Sequence, residues 1–137
     1  MFENEFLFPV RVYYEDTDAA GLVYYANYLK FMERARTEWL RRIGFEQDVL
    51  REENNILFAV SNVVIDYKKP ARFNELLTVQ SKLVSQRPAS LVFNQSIYNV
   101  ENVQLCEAEI KIACINSTSM KPEPIPETII KELDHVN

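Results

Sequence analysis

Histidine, cysteine and glycine are scarce in this chain, and each scarcity narrows what it can do. The one histidine, His135, is third from the end, and there is no Cys-x-x-Cys pair. A metal site built on imidazole or paired thiolates is therefore not expected, and no metal ligand is assigned. The two cysteines, Cys106 and Cys114, fall eight residues apart in one strand-like segment. At ~3.3 Å per residue their Cα atoms would be about 26 Å apart. A disulfide needs about 7 Å or less, so both read as reduced core residues. No apolar run approaches the roughly 18 residues of a membrane helix, and residues 1–9 are acidic rather than signal-like. A cytoplasmic protein without a membrane span is expected. Basic charge is in deficit, with 15 Lys and Arg against 20 Asp and Glu, which disfavours nucleic acid as the main partner. No internal repeat or low-complexity segment is found. The 137 residues, 47% of them hydrophobic, suffice for one core, so residues 1–137 read as a single domain.

Both glycines bracket one unit. Between Gly21 and Gly44, residues 26–43 place Tyr28, Met32, Ala35, Trp39 and Ile43 at steps of three and four, with Lys30, Glu33, Arg34, Arg41 and Arg42 on the remaining faces. That predicts a half-buried helix. Gly44 suits its left-handed cap, and Arg41 and Arg42 suit the negative end of its dipole. At the other end the first N–H groups lack internal partners and carry roughly half a positive charge in sum. They point towards the 18–24 loop, so Asp18 is set beside a helix N-terminus, an arrangement suited to acyl transfer. Gly21, three residues after Asp18, marks a special backbone angle or a close approach of ligand to backbone.

Around this unit, residues 6–14 read as a first strand and 45–53 as a short second helix. The period then changes to two over 58–67, 76–84, 91–100 and 103–115. In the last segment Cys106, Ala108, Ile110, Ile112 and Cys114 share one face while Glu107, Glu109 and Lys111 lie on the other. One face is core and one is wet, as in an antiparallel sheet. The proline-rich stretch 121–126 reads as an extended connector unable to pair in a sheet, and 127–133 as a closing helix. One long helix must bury its stripe on the sheet, which gives an α+β domain whose antiparallel sheet wraps around that helix.

Several side chains are candidates for chemistry, each with an ordinary alternative. Asp18 can act as nucleophile or general base, or serve as a turn carboxylate. Asp16 reads as a structural acceptor for loop N–H groups. The Tyr14 hydroxyl can orient a carboxylate or water, or its ring can pack on the sheet. Lys68, Lys69 and Arg72 surround Pro70, with Arg87 at the next turn. They make either solvated turn charge or a patch for a phosphorylated ligand. Glu33 and Arg36 read as a surface pair or as interface support.

Val12-Tyr13-Tyr14-Glu15-Asp16-Thr17-Asp18, Gly21-Leu22-Val23-Tyr24, Asn27-Tyr28-Leu29 and Glu33-Arg34-Ala35-Arg36-Thr37-Glu38 resemble the hotdog-fold acyl-CoA thioesterases. The resemblance is to the group associated with the Tol-Pal envelope system, related to 4-hydroxybenzoyl-CoA thioesterase. It extends through Tyr67, Pro70-Ala71-Arg72, Ser90-Leu91-Val92-Phe93 and Met120-Lys121-Pro122. It implies hydrolysis of acyl-CoA to free acid and CoA without metal or organic cofactor. It also implies a homotetramer, a dimer of hotdog dimers with each active site at a dimer interface, and acyl carrier protein as a second candidate partner. Asp18 occupies the family's catalytic carboxylate position, and Tyr14 matches a position proposed for its site. Tyr25 stands where the envelope-associated group carries histidine, as in the 4-hydroxybenzoyl-CoA branch, in which the backbone N–H there polarises the thioester carbonyl. Gly21, Lys69, Arg72, Arg87 and Ser90 are the candidate substrate contacts, the last four for the CoA phosphates. A dehydratase or isomerase of this fold normally requires a catalytic histidine, and His135 is wrongly placed. The remaining alternative is a non-catalytic acyl-CoA or acyl-carrier-protein binding module.

Overall fold

The computed structural model describes residues 4–134, so His135 lies outside the described residues. In chain order the elements are β1 (Glu5–Arg11), a 3-10 turn (Tyr14–Asp16), α1 (Asn27–Arg42), α2 (Gln47–Asn54), β2 (Ile56–Tyr67), β3 (Leu76–Arg87), β4 (Ser90–Tyr98), β5 (Gln104–Asn116) and α3 (Glu127–Asp134). The five strands form one sheet in the order β1-β3-β4-β5-β2, and every neighbouring pair is antiparallel. This is the α+β architecture expected from the periodicities.

The helix α1 forms because its stripe has somewhere to go. Tyr28, Phe31, Met32, Ala35 and Trp39 are buried, and they pack with Phe6, Leu77, Val79, Leu83, Phe93 and Ile97 in one core. Its end is a Schellman cap: Gly44, at φ +99°, donates to the Arg41 carbonyl at 3.0 Å, and Phe45 donates to the Leu40 carbonyl at 2.8 Å. On β5 the expected alternation holds, with Cys106, Ala108, Ile110, Ile112 and Cys114 all buried. The strand is continuous, and both thiols are free. Burial pushes the Cys106 thiol up to about 12 and Cys114 up to about 11.

α1 does not sit centrally in the sheet. It lies over β1 and β3 rather than over β2, and β2 is the less covered strand, with Ile56 its one buried residue. β2 is an edge strand of 12 residues, bulged at Ser61 between Val60 and Asn62. Val60 and Val64 are exposed on it.

Two sequence expectations are corrected. The first strand stops at Arg11 rather than reaching residue 14, because the Asp16 carboxylate accepts the Tyr13 N–H at 2.8 Å and draws the chain off the ladder into the 3-10 turn. The stretch 121–126 does pair: Ile115 and Pro122 form a bridge, Asn116 donates to the Lys121 carbonyl at 2.8 Å, and Glu123 donates to the Cys114 carbonyl at 3.0 Å. Proline removes one donor and no acceptor, and the residues between these prolines keep their N–H groups.

Candidate active site

The loop between β1 and α1 is built by Asp16. This residue is 2% exposed, and its two oxygens are both used. One accepts the Tyr13 N–H and the other accepts the Asn27 side-chain amide at 3.0 Å, which ties the exit of β1 to the first residue of α1. Asn27 in turn donates its backbone N–H to the Tyr24 carbonyl at 2.8 Å. That carbonyl belongs to the same planar peptide as the Tyr25 N–H, so fixing one orients the other. On the far side, the Tyr67 hydroxyl donates to the Tyr25 carbonyl at 2.8 Å, fixing the peptide that carries the Ala26 N–H. The Tyr25 and Ala26 N–H groups have no hydrogen-bond partner among the described residues. The N–H of Asn27, expected to be free as well, is taken up by the loop.

Beyond Asp16 the chain makes a short finger. Thr17 bridges Val23 and Leu22 bridges Arg72, while Val23 donates to the Ala71 carbonyl at 2.9 Å and Phe73 to the Gly21 carbonyl at 3.2 Å. The buried Tyr28 hydroxyl accepts the Ala71 N–H at 2.9 Å, and burial raises the Tyr28 phenol. Gly21 takes φ +78° at the tip, where a Cβ would meet nothing within 4 Å. Its use is therefore the left-handed angle, and crowding from the chain plays no part.

Asp18 lies on this finger and is exposed. Its Oδ1 accepts the Ala20 N–H at 2.9 Å and the Leu22 N–H at 3.3 Å. Its Oδ2 has no partner among the described residues. The side chain is thus aimed by its own turn, caps no helix, and keeps one oxygen available to a reactant.

The other sequence-selected residues divide. Tyr25 presents an exposed ring, tilted against Tyr24 at 4.7 Å and edge-on to Tyr67 at 6.4 Å. The Tyr25 hydroxyl beside it raises the Tyr24 phenol. Tyr14 is not a strand residue. It is 77% exposed, its ring stacks on Phe73 at 3.9 Å, and its hydroxyl makes no hydrogen bond to Asp18. Lys69 and Arg72 lie on the segment against which the finger docks, both exposed. Arg87 and Ser90 face each other across the β3–β4 turn, at the opposite end of β3 from Arg72. The eleven steps from Leu76 to Arg87 amount to about 36 Å at ~3.3 Å per residue. The four CoA candidates therefore form two separate pairs within one chain.

Asn27 and Tyr67 carried no role in the sequence reading beyond their place in the resemblance. For Asn27 a signal existed, an amide eleven residues after a carboxylate at the mouth of a helix. For Tyr67 there was none, since its contact spans 42 residues. Among the described residues no three His, Cys, Asp or Glu side chains converge as a metal site. Among the described residues no helix is long and apolar enough to cross a membrane.

A five-stranded antiparallel sheet over one long helix defines a hotdog-type scaffold. The comparisons agree. Residues 12–133 match the model of the thioesterase-like superfamily, and the chain belongs to that family. It is 47% identical over 127 residues to the acyl-CoA thioester hydrolase YbgC of Escherichia coli, covering 93% of this chain and 94% of that protein. A probable thioesterase from Bartonella henselae superposes with a TM-score of 0.84 at 35% identity, covering 89% of this chain and 99% of the other. The fold alone is shared with Slr0204 from Synechocystis, a 1,4-dihydroxy-2-naphthoyl-CoA thioesterase. There the TM-score is 0.88 at 22% identity, covering 95% and 96% of the two chains.

Proposed function

We propose that this protein hydrolyses acyl-CoA thioesters to the free acid and CoA with Asp18 as its catalytic carboxylate. As general base, Asp18 takes a proton from water while the water oxygen bonds the carbonyl carbon. As nucleophile, it forms a mixed anhydride that water then cleaves. By either route the carbon–sulfur bond breaks and CoA leaves as thiolate. The Tyr25 and Ala26 N–H groups stabilise the oxyanion, each such donor being worth about 10²–10³ in rate. Tyr14 has a lesser claim, as its ring is committed to Phe73. The observation that carries the reading is the free Oδ2 of Asp18 on a turn whose geometry is set by its other oxygen and by Asp16.

Lys69 and Arg72, beside the finger, and Arg87 and Ser90, at the far end of β3, are read as contacts for the CoA phosphates from two different chains. This agrees with a homotetramer built as a dimer of dimers. Acyl carrier protein as an alternative acyl donor, a cytoplasmic location and association with the Tol-Pal system belong to the same reading. Thiol release from short, long and aromatic acyl-CoAs, compared between wild type and Asp18→Asn, tests it. Turnover lost in the variant at unchanged fold supports Asp18 catalysis. Acyl-CoA binding without any turnover by wild type would replace hydrolysis with the binding-module reading.

A further inference from the structure

The two unengaged N–H groups at the start of α1 are aimed by different parts of the chain. The Tyr25 N–H shares its peptide with the Tyr24 carbonyl, which the nearby Asn27 N–H holds at 2.8 Å. The Ala26 N–H shares its peptide with the Tyr25 carbonyl, and that carbonyl falls outside the helical ladder. α1 begins at Asn27, and the N–H of Leu29, which in a longer helix would reach back to Tyr25, donates to the Ala26 carbonyl instead at 3.2 Å. The Tyr25 carbonyl is held by the Tyr67 hydroxyl, at 2.8 Å and across 42 residues of sequence. Among the described residues that hydroxyl is its one donor.

The Tyr67 side chain is fixed from two directions. It ends β2 paired with Cys106 of β5, and the next two N–H groups, those of Lys68 and Lys69, both donate to the Leu105 carbonyl, at 2.8 and 3.0 Å. Its ring stands edge-on to Tyr28 at 5.6 Å and to Tyr25 at 6.4 Å, and Tyr28 is buried in the core. Partial burial raises the Tyr67 phenol, so the oxygen keeps the proton it donates.

We propose that Tyr67 is a positioning residue for hydrolysis, acting on the oxyanion through the Tyr25–Ala26 peptide. This rests on the reading above that the Ala26 N–H meets the oxyanion, and adds the group that aims and strengthens that donor. In a trans peptide the C=O and N–H point in opposite directions from one plane. A donor that pins the carbonyl towards the end of β2 therefore pins the N–H on the other side. The same hydrogen bond draws electron density onto the carbonyl oxygen and leaves the N–H more positive, as along any chain of hydrogen bonds. Half of the oxyanion site is thus set by the sheet and half by the loop.

The test uses Tyr67→Phe, which keeps the ring and drops the hydroxyl, and a variant with p-aminophenylalanine at position 67, which restores an aromatic donor. In thiol release from the acyl-CoA that wild type hydrolyses best, Tyr67→Phe should lower kcat roughly 10- to 100-fold, the order for a misaimed oxyanion donor. KM should stay within about twofold of wild type, and the aminophenyl variant should recover most of the loss. A second readout does not depend on turnover. The dipeptide Tyr-Ala occurs once in the chain, at 25–26, so carbonyl-labelled tyrosine combined with nitrogen-labelled alanine gives one correlated peptide signal by NMR. Both of its shifts should move upfield in Tyr67→Phe as the carbonyl loses its donor. An unmoved signal, an unchanged kcat or a loss carried by KM alone would overturn the proposal. So would a kcat loss that p-aminophenylalanine does not restore and that tracks a lower urea midpoint, which would make Tyr67 a packing residue. Wild type without turnover on any acyl-CoA sinks the hydrolase reading and this role with it. Turnover that Asp18→Asn abolishes and Tyr67→Phe leaves intact sinks the role of Tyr67 alone.

Discussion

Asp16 and Asp18 are two residues apart and are used in opposite ways. Asp16 spends both oxygens on the fold, so Asp16→Ala leaves a backbone N–H and an amide unpaired in a buried place. This should cost about 2–4 kcal/mol in urea unfolding. Asp18 spends one oxygen on its turn, through Oδ1 alone. Asn at position 18 keeps that acceptor, so Asp18→Asn should leave the urea midpoint unchanged while lowering kcat by about 10²–10⁴. A matching loss of stability would return Asp18 to a structural role. Asn27→Ala separates positioning from packing. It frees the Asp16 carboxylate and loosens the start of the helix, so kcat should fall more than KM rises if the Tyr25 N–H holds the oxyanion as proposed. The sequence reading of Asp16 as a structural acceptor is met by the Tyr13 N–H it holds, while Asp18 was read as nucleophile, general base or turn carboxylate. The Asn27 amide had a signal in its place at the helix mouth that was not used, whereas the Tyr67 hydroxyl had none, because its contact spans 42 residues.

At the scale of elements, legibility followed how many residues repeat a pattern. The stripe of α1 and the alternation of β5 each repeat over several turns or pairs, and both appear in the structure within a residue or two of their expected ends. The early end of β1 depends on one carboxylate, and the pairing of 121–126 on the N–H groups between prolines; neither is periodic. Of the two readings given for Glu33 and Arg36, surface pair or interface support, the surface pair does not form, because helix periodicity puts Arg36 on the flank of the buried stripe, where it bonds Gln95. The cap of α1 offers a direct test, because Gly44 holds φ +99° with nothing within 4 Å of a Cβ. Gly44→Ala should therefore show backbone strain without a steric clash, a loss of about 1–2 kcal/mol. The two thiols of β5 test the core by pH. Their folded values are raised to about 12 and about 11 from 9.0, so between those limits the folded chain holds protons that the unfolded chain has released. Stability contributed by the protonated thiols is complete below pH 9 and is lost as pH rises towards 11 or 12. The urea midpoint should fall more steeply over that range in wild type than in Cys106→Ala/Cys114→Ala, and equal slopes would count against the buried-thiol account.

At the scale of the whole molecule, the decisive fact is a length. β3 puts about 36 Å between Leu76, four residues after Arg72, and Arg87, so a single chain does not offer all four candidate contacts to one phosphate cluster. If Arg87 serves a site, it serves one whose Asp18 belongs to another copy. Arg87→Ala should then raise KM for acyl-CoA roughly tenfold, the order expected when one charged contact to a phosphate is lost. The arrangement of sites across chains makes a sharper prediction. In a mixed assembly of Asp18→Asn and Arg87→Ala chains, a site joining the intact Asp18 of one copy to the intact Arg87 of the other is whole, while its symmetry mate carries both defects. Random pairing makes about half of the dimers mixed, so about a quarter of all sites should regain wild-type kcat/KM. The measurement is thiol release at low acyl-CoA after the two variants are unfolded together and refolded, against each refolded alone. Recovery beyond the average of the two parents requires a site shared between chains. Activity equal to that average would mean that each chain completes its own site and that Arg87 and Ser90 lie outside it.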